Sequence, residues 1–369
     1  VVNVLRRSLV LTAPAVLAGA AIGSGCAQGV DSADYVTLSA QTWRTGPLTG
    51  LTSAELGLEL VRYATLAPSS HNTQCWKFAL EGQTITILPD LSRRCQVVDP
   101  DDHHVFVSLG CATENLVQAA LALGYMAEAN LNPAESEVRV DLAPTPAQVS
   151  PLFQAIPARQ STRADYDGKP LSNRELDLLQ RAGTSGSVQM LLLTDRPEME
   201  RVLDYVVQAN AAQIADPAFV KELKTWIRFN APEAVRARDG LFSASSGNPA
   251  IPSWMGEFGF EWYFTLKGED DKYARQVRSS SGIAVFVGQA PSKARWVEVG
   301  RCYERFALQA TALGIRNAML NQAVEVGTVR PQLATTLGLA GQRPDLVVRF
   351  GRGPTMPASL RRPVRAVMV

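Results

Sequence analysis

Residues 64–78 read Ala-Thr-Leu-Ala-Pro-Ser-Ser-His-Asn-Thr-Gln-Cys-Trp-Lys-Phe, and they decide the fold. A helical pattern runs up to Ala67 and stops at Pro68, whose ring cannot continue the hydrogen-bond ladder. Small hydrogen-bonding residues follow, and Trp76 to Leu80 reads as a strand. The loop offers backbone N–H groups, the Ser69 and Ser70 hydroxyls, and the Asn72 amide, which donates and accepts at once. That is a platform for a planar polar ligand. The plainer alternative is an ordinary helix-to-strand connection.

A second stretch bears on the choice. Residues 157–176 contain Arg159-Gln-Ser161-Thr-Arg163, then Tyr166 and Pro170, and then a helix start at Ser172 with Glu175 three positions on. Leu51-Thr-Ser-Ala-Glu-Leu56 matches Leu171-Ser-Asn-Arg-Glu-Leu176 at an offset of 120, and both are capping boxes. Gly110-Cys-Ala-Thr-Glu114 matches Gly300-Arg-Cys-Tyr-Glu304 at an offset of 190, and both helices end in Ala-Leu-Gly. The chain therefore reads as two copies of one unit, the second carrying some 70 extra residues (190 − 120). A period this long reads as duplication and fusion of a domain rather than a solenoid.

These motifs resemble the nitroreductase family. Its flavin loop has the form A-P-S-x-x-N-x-Q-P-W, from which residues 67–76 depart only at Cys75. The family opens on R-x-S-x-R, an aromatic, a proline and a capped helix, as at Arg159, Ser161, Arg163, Tyr166 and Pro170. Family members are two-fold dimers whose flavins lie between subunits, one subunit giving the opening and the other the loop. Here the first copy keeps the loop and lacks the opening. The second keeps the opening and has Thr184-Ser-Gly-Ser187 at the loop position. The resemblance thus implies one surviving site between the copies, as in the fused Acg group of FMN-binding oxidoreductases. It covers residues 45–369. The implied fold is α+β and nitroreductase-like: two tandem copies fused into a pseudo-dimer, with antiparallel sheets flanked by helices.

The resemblance also implies roles. Pro68, Ser69, Ser70, Asn72 and Gln74 would bind FMN, with the Asn72 amide at the isoalloxazine edge. Arg159 and Ser161 would meet its phosphate and Arg163 its pyrimidine edge, since a guanidinium is permanently charged and forks onto two oxygens. Arg361 and Arg362 match the terminal basic pair that clamps phosphate; solvated surface arginines are the alternative. Leu320, Asn321 and Gln322 stand where a backbone N–H approaches flavin N5, although many members have Glu-Gly there. Ser243 to Pro249 and the aromatics Trp254, Phe258, Phe260, Trp262, Tyr263 and Phe264 would form a lid, or else pack at a domain junction.

Expected boundaries follow: a signal at 1–26, a linker at 27–46, a first half at 47–155, and a second half at 156–369 with a lid insertion at about 196–265. Strands are expected at 76–80, 84–88, 138–142, 189–193, 283–287 and 346–350. Helices are expected at 53–66, 102–124, 173–182, 197–214, 217–229 and 293–313. Arg6-Arg7 before the apolar run from Leu9 to Ile22 reads as a twin-arginine export signal, and Cys26 stands in an imperfect lipobox because Gly23 replaces Leu or Val. The protein is then expected to be exported, periplasmic or bound to the envelope, with Cys26 its one lipid anchor. An unused signal would leave it cytoplasmic.

A net charge of +1 gives no reason to expect nucleic acid. The five cysteines include no CxxC pair, so neither a zinc ribbon nor a redox dithiol is indicated. Cys111 and Cys302 read as small helix-core residues. Asp99-Pro-Asp-Asp-His103-His104 reads as a helix start, with no third metal ligand apparent and no metal expected. Functionally the resemblance implies hydride transfer from NAD(P)H through FMN to a nitroaromatic, quinone or other small aromatic acceptor, by a single chain. An FMN-holding protein without turnover and a flavin-free solute-binding lipoprotein stay open as alternatives.

Overall fold

The structure is a computed structural model that describes residues 32–132, 134, 136–339 and 341–369. The expected export signal and Cys26 lie outside the described residues. The first described helix, α1 (Ala33–Thr42), falls in the segment expected to be a linker. It is docked rather than free: Tyr35 is buried against Phe242 and donates to the Ala358 carbonyl at 2.6 Å.

The first half continues through α2 (Ser53–Thr65), β1 (Trp76–Glu81), β2 (Thr84–Pro89), α3 (His103–Ala122), β3 (Tyr125–Asn132), β4 (Glu137–Pro144) and α4 (Pro151–Ala155). The second half begins with α5 (Asn173–Ala182) and β5 (Val188–Leu193). An insertion follows, with α6 (Arg196–Ile214), α7 (Pro217–Trp226), β6 (Ile227–Arg228), α8 (Ala231–Ala237), β7 (Leu241–Phe242), α9 (Ser253–Tyr263) and α10 (Leu266–Arg278). The chain then resumes with β8 (Gly282–Gly288), α11 (Lys293–Ala312), β9 (Arg316–Met319), α12 (Gln322–Glu325), α13 (Arg330–Thr336) and β10 (Pro344–Gly351).

The duplication is visible in the topology. One antiparallel sheet has the order β1-β2-β4-β3 and the other β5-β8-β10-β9, the same path with the insertion placed between the first two strands. The helices α2 and α5 start on capping boxes, Thr52 with Glu55 and Ser172 with Glu175. The helices α3 and α11 start and end 190 positions apart and cross at Gly110 and Gly300. A Cβ on Gly110 would lie 2.0 Å from the Val297 carbonyl oxygen, and one on Gly300 would lie 2.0 Å from that of Val107. Val107 and Val297 are themselves 190 apart, so the contact obeys a local two-fold axis. One continuous core runs across that axis, from Trp76 and Phe106 of the first half to Tyr303, Phe306 and Phe350 of the second.

The tail locks the halves together. Phe78 on the edge of the first sheet donates to the Val367 carbonyl and accepts from the Val369 N–H. The insertion breaks the symmetry of burial. In β4 buried and exposed residues alternate, because one face of the first sheet meets solvent. In β8 and β10 every residue is buried, because a second core under α6, α10, α12 and α13 covers the other face of the second sheet.

Several boundaries move. The insertion is wider than expected, with α10 part of it. The expected helix 217–229 ends at Trp226, since Ile227–Arg228 pairs with Leu241–Phe242. Strands β3 and β9 and the short helices of the insertion were not legible as elements. The expected helix start at 99–102 is also displaced: Pro100 to Asp102 form a turn, and the Asp99 carboxylate accepts from the His104 and Val105 N–H groups at 3.0 and 3.1 Å.

The crossing gives a test of the pseudo-dimer. Alanine in place of Gly110 gains about 1 kcal/mol of helix propensity but drives a methyl group into a backbone carbonyl, a strain costing about 1–3 kcal/mol or more. Gly110→Ala and Gly300→Ala should each lower the urea midpoint with little change in slope. A raised midpoint in either variant would show that the helices do not touch there.

Candidate functional site

A cavity of about 500 Å³ lies where the two halves meet. The loop after α2 supplies Pro68, Ser69, Ser70 and His71, and the segment after α4 supplies Ser161 and Arg163. The two stretches singled out in the sequence thus face one space. His104, Ser108 and Cys111 of α3 add to the wall, as do Tyr303 of α11 and Asn321, Gln322 and Glu325 around α12. The insertion closes the rest. Ser243, Ser246, Asn248 and Lys272 continue the polar end, while Phe219, Leu223, Phe229, Ile251, Phe260 and Phe264 make an apolar chamber. Trp254 and Phe258 of the expected lid are exposed on its outside.

The loop is held in an unusual conformation. His71, Asn72 and Gln74 all have positive φ (48°, 52° and 54°), a left-handed backbone that non-glycine residues adopt at a cost. The side chains that enforce it are the ones the resemblance assigns to flavin. Asn72 donates to the Gly240 and Leu360 carbonyls at 3.0 and 3.3 Å, and its backbone carbonyl accepts from the Gly240 N–H. Gln74 donates to the Arg238 carbonyl at 2.8 Å and accepts from the Arg362 N–H at 2.8 Å. Both therefore latch the insertion and the C-terminal segment onto the loop.

Six of the expected contacts do not reach the cavity wall: Asn72, Gln74, Arg159, Leu320, Arg361 and Arg362. The buried Arg361 guanidinium donates to the Thr65, Leu66 and Ala67 carbonyls at 2.8, 3.2 and 3.1 Å and to Asn72 Oδ1 at 3.0 Å. Arg159 donates to Leu66 at 2.9 Å and pairs with the fully buried Glu304 at 3.2 Å. A helix C-terminus gathers unpaired carbonyls and partial negative charge, which two guanidinium groups satisfy here. Burial lowers the Arg361 pKa to about 9 and raises Glu304 to about 7. Leu320 is buried, its N–H bonded to the Val347 carbonyl, and Arg362 turns toward Asp90 and the Ala366 carbonyl.

Arg163 is different. It faces the cavity, and among the described residues no carboxylate lies within ion-pair distance of it; its one side-chain hydrogen bond goes to Ser246 Oγ at 3.4 Å. Desolvation lowers its pKa, the cost of a half-buried cation without a counter-ion. Gln322, which lines the same cavity, has its Oε1 buried without a hydrogen-bond partner. A cation and an orphaned acceptor lining one cavity call for a ligand with an electron-rich edge or anionic group and an N–H donor.

The pseudo-symmetric place in the other half is filled. Across the 190 offset, Ser108 becomes Glu298, Cys111 becomes Arg301 and Asn115 becomes Arg305. Arg301 and Arg305 bind Glu114 at 3.2 and 2.9 Å and Glu298 at 3.5 and 3.3 Å. Arg305 also donates to Ala182 at the end of α5. The cluster occupies one former site while the cavity opens at the other. Cys302 sits in this cluster, 3.0 Å from Arg305 Nη2, and not in a purely apolar core. Cys111 is buried and donates to the Gly300 carbonyl.

No family model matches the chain. A Mycobacterium tuberculosis protein named "Putative NAD(P)H nitroreductase Rv3131" is 24% identical over 328 residues, covering 85% of this chain and 91% of that protein. Another from the same organism, "Putative NAD(P)H nitroreductase acg", is 23% identical over 326 residues, covering 83% and 93%. The chain is similar to both proteins over most of its length and of theirs. Among solved structures, an FMN-bound nitroreductase from Bacteroides fragilis aligns with 55% of this chain and 88% of its own at 16% identity and a TM-score of 0.34. NfnB of Mycobacterium smegmatis, an FMN-dependent nitroreductase in complex with NADPH, aligns with 55% and 87% at 13% identity and a TM-score of 0.37.

The metal expectation is corrected in one respect. Asp99 supplies a third group beside His103 and His104, all within 4.8 Å. These groups are already engaged: both Asp99 oxygens cap α3, and His103 Nε2 lies 2.9 Å from Asp345.

Two arginines expected to act alike should therefore separate. Arg361→Ala strands the Thr65 and Ala67 carbonyls, leaves Leu66 to Arg159 alone, and should cost about 3 kcal/mol or more of stability in urea unfolding. Arg163→Ala, which removes a half-buried cation without a counter-ion, should stay within about 1 kcal/mol of the parent. The reverse order of stabilities would place the structural cation at Arg163.

Proposed function

We propose that the chain binds one FMN in the cavity and uses it for two-electron transfer from NAD(P)H to a small aromatic acceptor such as a nitroaromatic or quinone. What carries this reading is that Arg163, with no carboxylate in ion-pair distance among the described residues, and the orphaned Gln322 Oε1 line the same cavity as the Pro68–Ser70 loop. A flavin offers an N–H donor, carbonyl edges and a phosphate, so the donor set fits. Bound, it would supply hydride chemistry. The protein's own part is to hold the ring between the Ser69–Ser70 loop and Ser161, to place positive charge from Arg163 near it, and to exclude water with the insertion. Arg159 and Arg361 act one step back, by fixing the end of α2 from which the loop departs.

A second reading keeps FMN and drops turnover. It is favoured by the latch: the apolar insertion covers the cavity and is tied down through Asn72 and Gln74. The halves in this proposal are residues 47–155 and 156–369, and the Arg6-Arg7 signal would export the folded, loaded protein. Fractionation of an Arg6-Arg7→Lys-Lys variant tests that part separately.

The purified protein should be yellow with close to one FMN per chain, since the ion-pair cluster at Arg301 fills the partner site. NAD(P)H under anaerobic conditions should bleach it. Two flavins per chain would overturn the one-site arrangement, and a yellow protein that never bleaches would leave the storage reading. Arg163→Ala should weaken FMN binding by one to two decades, the worth of about 1.5–3 kcal/mol for a charge-assisted contact.

A further inference from the structure

We propose that Glu325 and His104 form a proton-donating pair for an acceptor seated in the apolar chamber of the cavity, with quinones as the acceptor class. The inference rests on the flavin reading above.

Both side chains line the cavity, and His104 Nε2 lies 3.5 Å from Glu325 Oε1. The two come from elements far apart in sequence, the first turn of α3 and the end of α12. Gln213 of the insertion donates to Glu325 Oε2 at 2.8 Å and fixes the carboxyl. An imidazole beside a held carboxyl is a unit that stores one proton and releases it to whatever sits next to it. The duplicated chain supplies its own control. Across the 190 offset the residue matching His104 is Ala294, in the half whose site is filled by ion pairs. A histidine needed only to start the helix would serve equally in either half; here it stands in the half with the cavity.

The surroundings bias the pair toward holding a single proton. Burial lowers the His104 pKa to about 4 and raises that of Glu325. His103, Arg343 and Asp101 act on His104, while Asp99 and Glu222 act on Glu325; His71 lies close enough to interact with His104. An imidazolium with a separate carboxylate is therefore disfavoured, and in the proposed pair the transferable proton sits on the Glu325 carboxyl beside a neutral His104.

The step balances. A quinone would take a hydride, one proton with two electrons, from an N–H bond of reduced flavin that breaks as one O–H bond forms. The electron pair released from the quinone π-system settles on the second oxygen. The proton of the pair moves there and completes the hydroquinone, leaving Glu325 as carboxylate beside neutral His104. A solvent proton restores the pair.

Two measurements on the full chain test this. Flavin-loaded protein, reduced anaerobically with dithionite, is mixed with 1,4-naphthoquinone or with ferricyanide, which takes electrons one at a time and no proton. In H104Q and in E325Q the quinone-to-ferricyanide ratio of reoxidation rates should fall about a hundredfold, and the parent's quinone rate should decline as pH rises and the pair loses its proton. Independently of flavin, the chain has three histidines, so the His104 ring signal can be assigned by NMR. It should shift on adding naphthoquinone, and its titration should move in E325Q. An unchanged rate ratio in both variants, or a His104 signal indifferent to both naphthoquinone and E325Q, would overturn the pair. A protein that holds no flavin would instead overturn the reading beneath it, with the NMR arm still deciding the pair.

Discussion

The contact of Gly110 with Gly300 is the constraint on which the rest depends. Two long helices approach so closely that each glycine faces the other helix's carbonyl, with no room for a methyl group. This sets the axis about which the halves are arranged and lets one core run through both. It also fixes where α3 and α11 present their outer turns, and those turns wall the two symmetry-related spaces. The tail pairing at Phe78 and the crossing at the glycines make the two sheets parts of one body.

Duplication gives two equivalent spaces, and later substitution makes them unlike. In one, Ser108, Cys111 and His104 are small or neutral and leave a cavity. In the other, Glu298, Arg301 and Arg305 meet Glu114 and fill it with paired charge. Partly buried arginines and carboxylates satisfy one another there, so the filled site is stable without a ligand. Among the described residues, the open site keeps an arginine with no carboxylate partner and a side-chain carbonyl with no donor, an arrangement costly alone and relieved by the right ligand. The insertion adds to the open side only, covering β8 and β10 and providing the apolar chamber.

The loop motif divides into two tasks. Pro68, Ser69 and Ser70 face the cavity. Asn72 and Gln74 face away and bind the backbone at 238–240 and the C-terminal segment. The positive φ angles at 71, 72 and 74 are what turn these side chains to opposite sides over so few residues. Arg159 and Arg361 belong to the same scaffold. Their charge is used on the carbonyls ending α2, and a buried arginine does this well because its several donors match a ring of acceptors.

Much of the fold was legible in the sequence. The capping boxes at Thr52 and Ser172, the 190 offset between α3 and α11, and the apolar runs of β8 and β10 are local signals, and each formed the element its pattern indicates. The edge strands β3 and β9 and the short insertion helices were not legible, because their residues carry mixed propensities and are fixed by what they pack against. Likewise the sequence by itself brought Pro68–Ser70 and Ser161–Arg163 into candidacy for one site, through motif and repeat. Only the tertiary structure decided which arginine is free and which is spent. Arg159, Arg163 and Arg361 are the same residue type in similar motifs, and their charge is assigned by distance: carbonyls and Glu304 stand beside two of them, and beside the third there is the cavity. The pairing of His104 with Glu325, 221 positions apart in sequence, was decided in the same way, since no local pattern records which distant carboxyl a folded chain will set next to an imidazole.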